Sequence, residues 1–293
     1  MFHREQVILV TGANGQLGNE FRLLAKTSLE YSFLFVSKEE LDICNIEEVR
    51  IFFSRHSFSH CINCAAYTAV DRAESEKEMA FRVNAGAVGN LASICNKNNV
   101  RLIHISTDYV FDGESNTPIK EDHPVGPLGV YGASKLEGEE LCRDNDPSSI
   151  ILRTSWVYSS FGNNFVKTML RLMKEKESLQ VVNDQFGRPT YAADLANAIL
   201  AIIRTVPLRQ DLPSLFHFSN IGKEISWYDF ALAIKEISGS PCRVDPIPSS
   251  SYPRPARRPH YAVLDTTAFQ QHVDYTIPDW KESLSKCLAL LTH

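Results

Sequence analysis

Apolar residues along this chain fall into short unbroken runs that alternate with stretches of helical spacing. Val7-Ile8-Leu9-Val10 is the first run, of the kind a parallel strand covered on both faces requires. Phe33 to Val36 reads as a second strand, Ile46 to Arg55 as a helix, Cys61 to Ala65 as a third strand and Met79 to Asn96 as a long helix. Arg101 to Ser106 is the fourth strand, Gly132 to Arg143 a helix and Ser149 to Arg153 the fifth strand. Strand and helix taking turns in this way predict an α/β fold, a doubly wound parallel sheet of Rossmann type.

Beyond Trp156 the alternation loosens into prolines and short apolar pieces. These are Phe216-His217-Phe218, a helix from Ser226 to Ser238 with Ser226 as its N-cap, and the loop Pro253 to Pro259. The pattern predicts a nucleotide-binding Rossmann domain over residues 1–155, to which segments around 175–195 return. Residues 156–293 then form mostly a smaller α/β substrate lobe.

Length and composition agree with this division. A chain of 293 residues with 44% hydrophobic content can bury a large core. A net charge of -5 argues against a sequence-independent grip on nucleic acid, which needs a basic face. The longest apolar stretches, such as Leu195 to Ile203, fall short of the roughly 18 residues of a membrane span. Met1 to Glu5 run straight into the first strand, so the expectation is a cytoplasmic protein. Seven cysteines, scattered through predicted strands and helices, fit a reducing compartment. Cys61 and Cys64 resemble half a metal motif, yet side chains three apart on a strand face opposite ways, so core packing is expected for both.

The first candidate chemistry follows strand one: Gly12-Ala13-Asn14-Gly15-Gln16-Leu17-Gly18. Gly12 and Gly15 would let the backbone approach a pyrophosphate, and Gly18 would let the following helix pack closely on the sheet. That helix would turn its N-terminus to the phosphates, although a tight turn with no ligand produces the same three glycines. About twenty residues on, strand two ends before Ser37-Lys38-Glu39-Glu40. An acidic residue at this point selects the ribose of NAD. Ser37 and Lys38 beside the ribose favour a 2′-phosphate and thus NADPH, while Glu39 leaves NADH as the second choice.

The second candidate is Tyr131 with Lys135, four residues apart and so on one helical face directed to the cofactor cleft. A neighbouring ammonium favours phenolate, which would make Tyr131 able to give or take a proton; a solvated helix face is the other reading of the pair. Thr107, at the end of strand four, would place a hydroxyl where it can hold a carbonyl oxygen. His104, between Ile103 and Ile105, is expected to pack in the sheet, and Trp227 and Phe230 in the core of the lobe. The loop Arg254 to Pro259 would clamp a diphosphate or lie solvated.

These segments resemble the extended short-chain dehydrogenase/reductases, and within them the reductases of dTDP-linked keto sugars. The likeness rests on Gly12 to Gly18, Leu41-Asp42-Ile43, Asn63 to Asp71, Ser106 to Gly113 and Tyr131 to Gly138. Farther on it includes Arg153 to Tyr158, Gly162 to Val166, Asp184 to Thr190 and Ser226 to Phe230. It implies that Gln16 and Leu17 line the cofactor diphosphate, Asp42 and Ile43 the adenine, and Ala65, Ala66 and Tyr67 the nicotinamide half. Tyr131 and Lys135 would contact the nicotinamide ribose, with Tyr131 protonating the C4 oxygen and Thr107 orienting the carbonyl. Val70, Thr107, Asp108, Tyr109 and Trp156 would touch the substrate, with Asn164 and Arg258 on the lobe side. The product of such an enzyme supplies cell-surface polysaccharide.

The resemblance also implies a homodimer in which some relatives place a divalent metal such as Mg2+. Glu20 fits one such position without a complete ligand set. Cys64, Asn183 and Ala262 depart from the usual residues. A reductase or epimerase of another nucleotide-linked keto sugar, and a non-catalytic nucleotide-binding regulatory subunit, are the competing readings.

Overall fold

The computed structural model describes residues 6–28, 30–205 and 212–292; Met1 to Glu5, expected to lead into the first strand, lie outside them. β1 (Val7–Thr11), β2 (Ser32–Val36), β3 (His60–Asn63), β4 (Arg101–Thr107) and β5 (Ile150–Thr154) form where the apolar runs require them. The helices between them are α1 (Gln16–Ala25), α2 (Ile46–Arg55), α3 (Val70–Ala73), α4 (Lys77–Phe81), α5 (Ala87–Lys97) and α6 (Val130–Asn145).

The central sheet is parallel throughout, in the order β2, β1, β3, β4, β5 and then Leu215–Phe218. Alternate residues of each strand feed opposite layers, the period of two that a pleated strand imposes. Ile8, Val10, Ile62 and Ile103 pack with Leu17 and Phe21 of α1 and with the helix Ala192–Thr205. Leu9, Cys61, Leu102 and Ile151 pack with Val49 and Phe53 of α2 and with Val88 and Leu91 of α5. Cys64 lies against the first layer and Cys61 in the second, so the two thiols do face opposite ways.

Two segments depart from expectation: Ser178–Val182, expected to return to the nucleotide-binding domain, packs in the smaller lobe, where it pairs with Arg243–Ile247. Phe216-His217-Phe218, assigned from sequence to the lobe, is the sixth strand of the main sheet, pairing Phe216 with Leu152. Its two phenylalanines are fully buried in the layer that covers α1, and that burial outweighs any local signal.

The long helix read over Met79 to Asn96 is one helical run in three parts: α4, a π-turn at Arg82–Gly86, and α5. A π-turn inserts one residue into a helix and re-aims the side chains around it. The smaller lobe is built on the parallel pair Ser178–Val182 and Arg243–Ile247. Helices Phe165–Glu175, Trp227–Ser238 and Trp280–Thr292 close over it around Met169, Phe230, Ile234 and Leu284. Ser226 caps its helix in a reciprocal capping box with Asp229. Among the described residues no helix is long and apolar enough to cross a membrane.

Candidate active site

The glycine turn is tightly packed at Gly12 and Gly18 and open at Gly15. Gly12 has φ +65°, and a Cβ there would lie 2.6 Å from the Ala65 nitrogen, so the turn presses against the loop after β3. At Gly18 a Cβ would lie 2.6 Å from the Ala13 Cα, which is why α1 can start so close to the turn. Gly15 is different, since a Cβ there meets only the Gly12 carbonyl oxygen, at 3.2 Å. It is exposed with Asn14 at the N-terminus of α1, where no side chain caps the free N–H groups. These residues fit a dinucleotide pyrophosphate.

At the end of β4 three hydroxyl-bearing residues and a carboxyl converge. Thr107 Oγ1 donates to Asp108 Oδ1 at 2.9 Å and accepts from the Tyr109 N–H at 3.2 Å, which starts the 3-10 turn Asp108–Val110. Tyr131, in the first turn of α6, sits edge-on to Tyr109 with ring centroids 5.4 Å apart. Its phenol lies near enough to the Thr107 hydroxyl for that group to lower its proton affinity. α6 comes this close because Gly132 faces the turn, where a Cβ would stand 2.1 Å from the Tyr109 carbonyl oxygen.

Burial sets the acidities here. The Tyr131 phenol is pushed up to about 12, mainly by desolvation, with the Thr107 hydrogen bond working the other way and the Asp108 charge adding to the rise. Asp108 is pushed up to about 7 by its own desolvation, against the pull of Thr107 and of backbone N–H groups. Its Oδ2 is buried with no hydrogen-bond partner among the described residues. Lys135 is drawn down to about 8, again by burial first, with Glu139 acting the opposite way.

The expectation that Lys135 acidifies Tyr131 therefore needs correction. The amine shares the helix face but turns to β4, where Nζ donates to the Ile105 carbonyl at 2.6 Å and lies 3.3 Å from His104 Nε2. The phenol is governed by burial, Thr107 and Asp108 instead.

The remaining predicted residues fall into two groups. On the cofactor side, the Ala13 N–H donates to the Val36 carbonyl, tying the glycine turn to β2, whose end carries Ser37. The Ser37 N–H donates to Glu40 Oε2 at 2.8 Å. Asp42 Oδ1 accepts from the Cys44 N–H, and Ile43 is buried beside it. Ala66 stands between Ala65 and Tyr67 in the loop after β3, and Tyr67 donates its hydroxyl to Glu76. Leu17 is buried in the layer under the turn, whereas Gln16 Oε1 accepts from Asn164 Nδ2 at 2.9 Å. Asn164 also caps the helix Phe165–Glu175 through Oδ1, so its amide is committed next to Gln16.

On the substrate side, Arg258 grips both oxygens of Asp71, the neighbour of Val70, at 3.0 Å and reaches the Tyr109 hydroxyl at 3.3 Å. Arg254 approaches the same carboxylate. Trp156 lies two residues past the end of β5, whose Thr154 is the register partner of Thr107. It stacks on Trp227 with centroids 3.5 Å apart and holds φ +48°, a strained value for a bulky residue. Glu20 is buried and accepts from the Ser159 hydroxyl at 2.6 Å. Among the described residues no group of three or more His, Cys, Asp or Glu could hold a metal.

Two functional contributors escaped the sequence reading. Asn84, fully buried in the π-turn, clamps Tyr67 by its N–H (2.8 Å) and carbonyl (3.0 Å) and donates to Ser134 at 3.0 Å. It joins the cofactor loop to α6, and its only signal is a polar residue in an apolar helical run. Glu139 and Arg153, both buried, pair through two hydrogen bonds, and Ser106 donates to the same carboxylate. Lys135 and Glu139 on α6 thus meet His104 and Ser106 on β4. Four helical residues, a rise of about 6 Å, match two strand residues of about 6.6 Å.

A parallel sheet with a phosphate-binding turn, and a Thr–Tyr–Lys set at its carboxyl edge, define a nicotinamide-dependent oxidoreductase of the extended short-chain dehydrogenase/reductase class. The family model for the RmlD substrate binding domain matches residues 6–293, and the chain belongs to that family. It is 41% identical over 291 residues to the dTDP-4-dehydrorhamnose reductase of Aggregatibacter actinomycetemcomitans, covering 96% of this chain and 98% of the relative. A solved dTDP-4-dehydrorhamnose reductase from Clostridium acetobutylicum superposes with a TM-score of 0.93 at 40% identity, over 98% of this chain and 100% of the other. The Bacillus anthracis reductase, solved in complex with NADP, gives 0.91 at 36% identity, over 98% and 99%.

Proposed function

We propose that this chain reduces the C4 keto group of dTDP-4-dehydro-L-rhamnose to dTDP-L-rhamnose with NADPH. The observation that carries the reading is the approach of the Tyr131 phenol to the Thr107 hydroxyl beside Asp108 at the end of β4. Bound NADPH would supply the hydride. Gly12 to Gly18 would hold its diphosphate and the loop Ala65 to Tyr67 its nicotinamide half, with Ser37 and Lys38 at the 2′-phosphate. The Bacillus anthracis relative with NADP supports that choice.

The chain's own part is orientation and proton supply. Thr107, whose single hydroxyl proton rests on Asp108 Oδ1 in this structure, would turn it to the carbonyl oxygen and so orient the carbonyl. Tyr131 gives its phenolic proton to the same oxygen as negative charge gathers there. A phenol at about 12 keeps that proton at neutral pH until the alkoxide needs it. Lys135 places positive charge below the site. Arg258 and Arg254, now on Asp71, have the guanidinium forks that suit a sugar-nucleotide diphosphate. Trp156, stacked on Trp227, offers an aromatic wall.

The test follows nicotinamide absorbance with NADPH and dTDP-4-dehydro-L-rhamnose. Oxidation dependent on this sugar is expected. Silence here, with turnover of another nucleotide-linked keto sugar, would move the reading to that substrate.

A further inference from the structure

Thr11, Asn63 and His104 are register partners on β1, β3 and β4. Partners in a parallel sheet present their side chains to one face, so the three make a polar row ending under α6. All are buried, at 1%, 1% and 0% exposure, as is Lys135 at 2%. Thr11 directly precedes the glycine turn.

The row dictates where its protons lie. Asn63 Oδ1 accepts from the Thr11 hydroxyl at 2.7 Å and from the Ala65 N–H at 3.2 Å. A backbone N–H can only donate, so the atom facing Ala65 is oxygen and the amide nitrogen faces His104 Nδ1, at 3.1 Å. An amide nitrogen also only donates, so Nδ1 is the bare nitrogen of the ring. Burial keeps His104 well below its ordinary value and therefore neutral, with its single proton on Nε2. That proton points at Lys135 Nζ, 3.3 Å away. An ammonium has donors only and would oppose it. The contact is satisfied when Nζ is an amine that accepts from Nε2–H and donates to the Ile105 carbonyl.

We propose that His104 is a positioning residue which, with its tautomer locked by Asn63 and Thr11, biases Lys135 toward the neutral amine and makes its ammonium a stronger acid than a free lysine. The role assigned to Lys135 rests on the reductase reading above; the tautomer does not. The fall of Lys135 to about 8 agrees with this bias. The other charged or titratable groups around the amine are Glu139 and Cys142 on α6, and Arg153 of β5 through Glu139.

Two measurements test it. In protein labelled with 15N-histidine, long-range proton–nitrogen spectra should show His104, assigned by loss of its signal in His104→Gln, as neutral with Nδ1 bare across neutral pH. A proton on Nδ1, or on both nitrogens, overturns the proposal whatever the enzyme's substrate. Asn63→Asp keeps an oxygen for Thr11 and Ala65 and offers a second to Nδ1–H, which turns Nε2 into an acceptor for ammonium. His104→Gln likewise offers Nζ a carbonyl. Each variant should move the alkaline limb of the kcat profile up by about one unit, a tenfold change in proton affinity. A lower kcat with the limb unmoved in both would mean that His104 is packing alone.

Discussion

Gly138 and Asn84 meet so closely that a Cβ on Gly138 would stand 1.9 Å from the Asn84 carbonyl oxygen. This approach seats α6 on the π-turn, and with it Tyr131 and Lys135. Gly138→Ala should destabilise the fold by about 1–3 kcal/mol, because backbone cannot yield as a side-chain tip can. Gly86→Ala in the same π-turn meets nothing within 4 Å. It should stabilise by about 0.4–1 kcal/mol through the unfolded chain. Denaturant midpoints of the two variants check the contrast, and equal shifts would remove the steric argument.

Tyr131→Phe deletes a hydroxyl and leaves the ring edge-on to Tyr109. The expected loss in kcat is about a hundred- to ten-thousand-fold, with NADPH affinity and thermal midpoint retained. Titration of cofactor binding alongside the assay separates the two effects. Full activity in this variant would assign the proton to another donor.

Alkaline pH should slow reduction. Asp108 loses its proton as pH rises through about 7, and Lys135 its charge through about 8. Each loss makes the site more negative by one charge just where an alkoxide forms, while Tyr131, at about 12, remains a protonated donor. The kcat profile should fall above about 8 and hold on the acid side of 7. A profile rising through this window would contradict the assignment.

Breaking the buried Glu139–Arg153 pair should be costly, since either partner alone would be a desolvated charge. Glu139→Ala is expected to lose about 3–5 kcal/mol of stability. Urea unfolding measures it. A loss below about 1 kcal/mol, the scale of a surface ion pair, would mean that water reaches Arg153.

Much of the fold is legible in the sequence because its signals are local. Val7 to Val10 and Gly12 to Gly18 sit within a dozen residues, and the Tyr131–Lys135 spacing is one helical turn. What escapes depends on distant chain. Leu215–Phe218 has too few residues to declare its partner, and only pairing with β5 makes it a strand of the main sheet. The π-turn at Asn84 is invisible to a 3.6-residue period, because one inserted residue leaves the apolar pattern nearly unchanged. The direction of Lys135 is decided by partners on β4, the Ile105 carbonyl and the His104 ring, which its own helix does not reveal. Trp156 holds a left-handed backbone that its residue type argues against, stacked on Trp227 and backed by Gly187.

The late sixth strand also orders events during synthesis. Until Leu215–Phe218 leaves the ribosome, the side of β5 away from β4 is an open edge with unpaired N–H and C=O groups while the residues between them are being made. The nucleotide domain therefore cannot mature before much of its companion has emerged. That interval, with a hydrophobic edge open to other nascent chains, is when the polypeptide has most need of a chaperone.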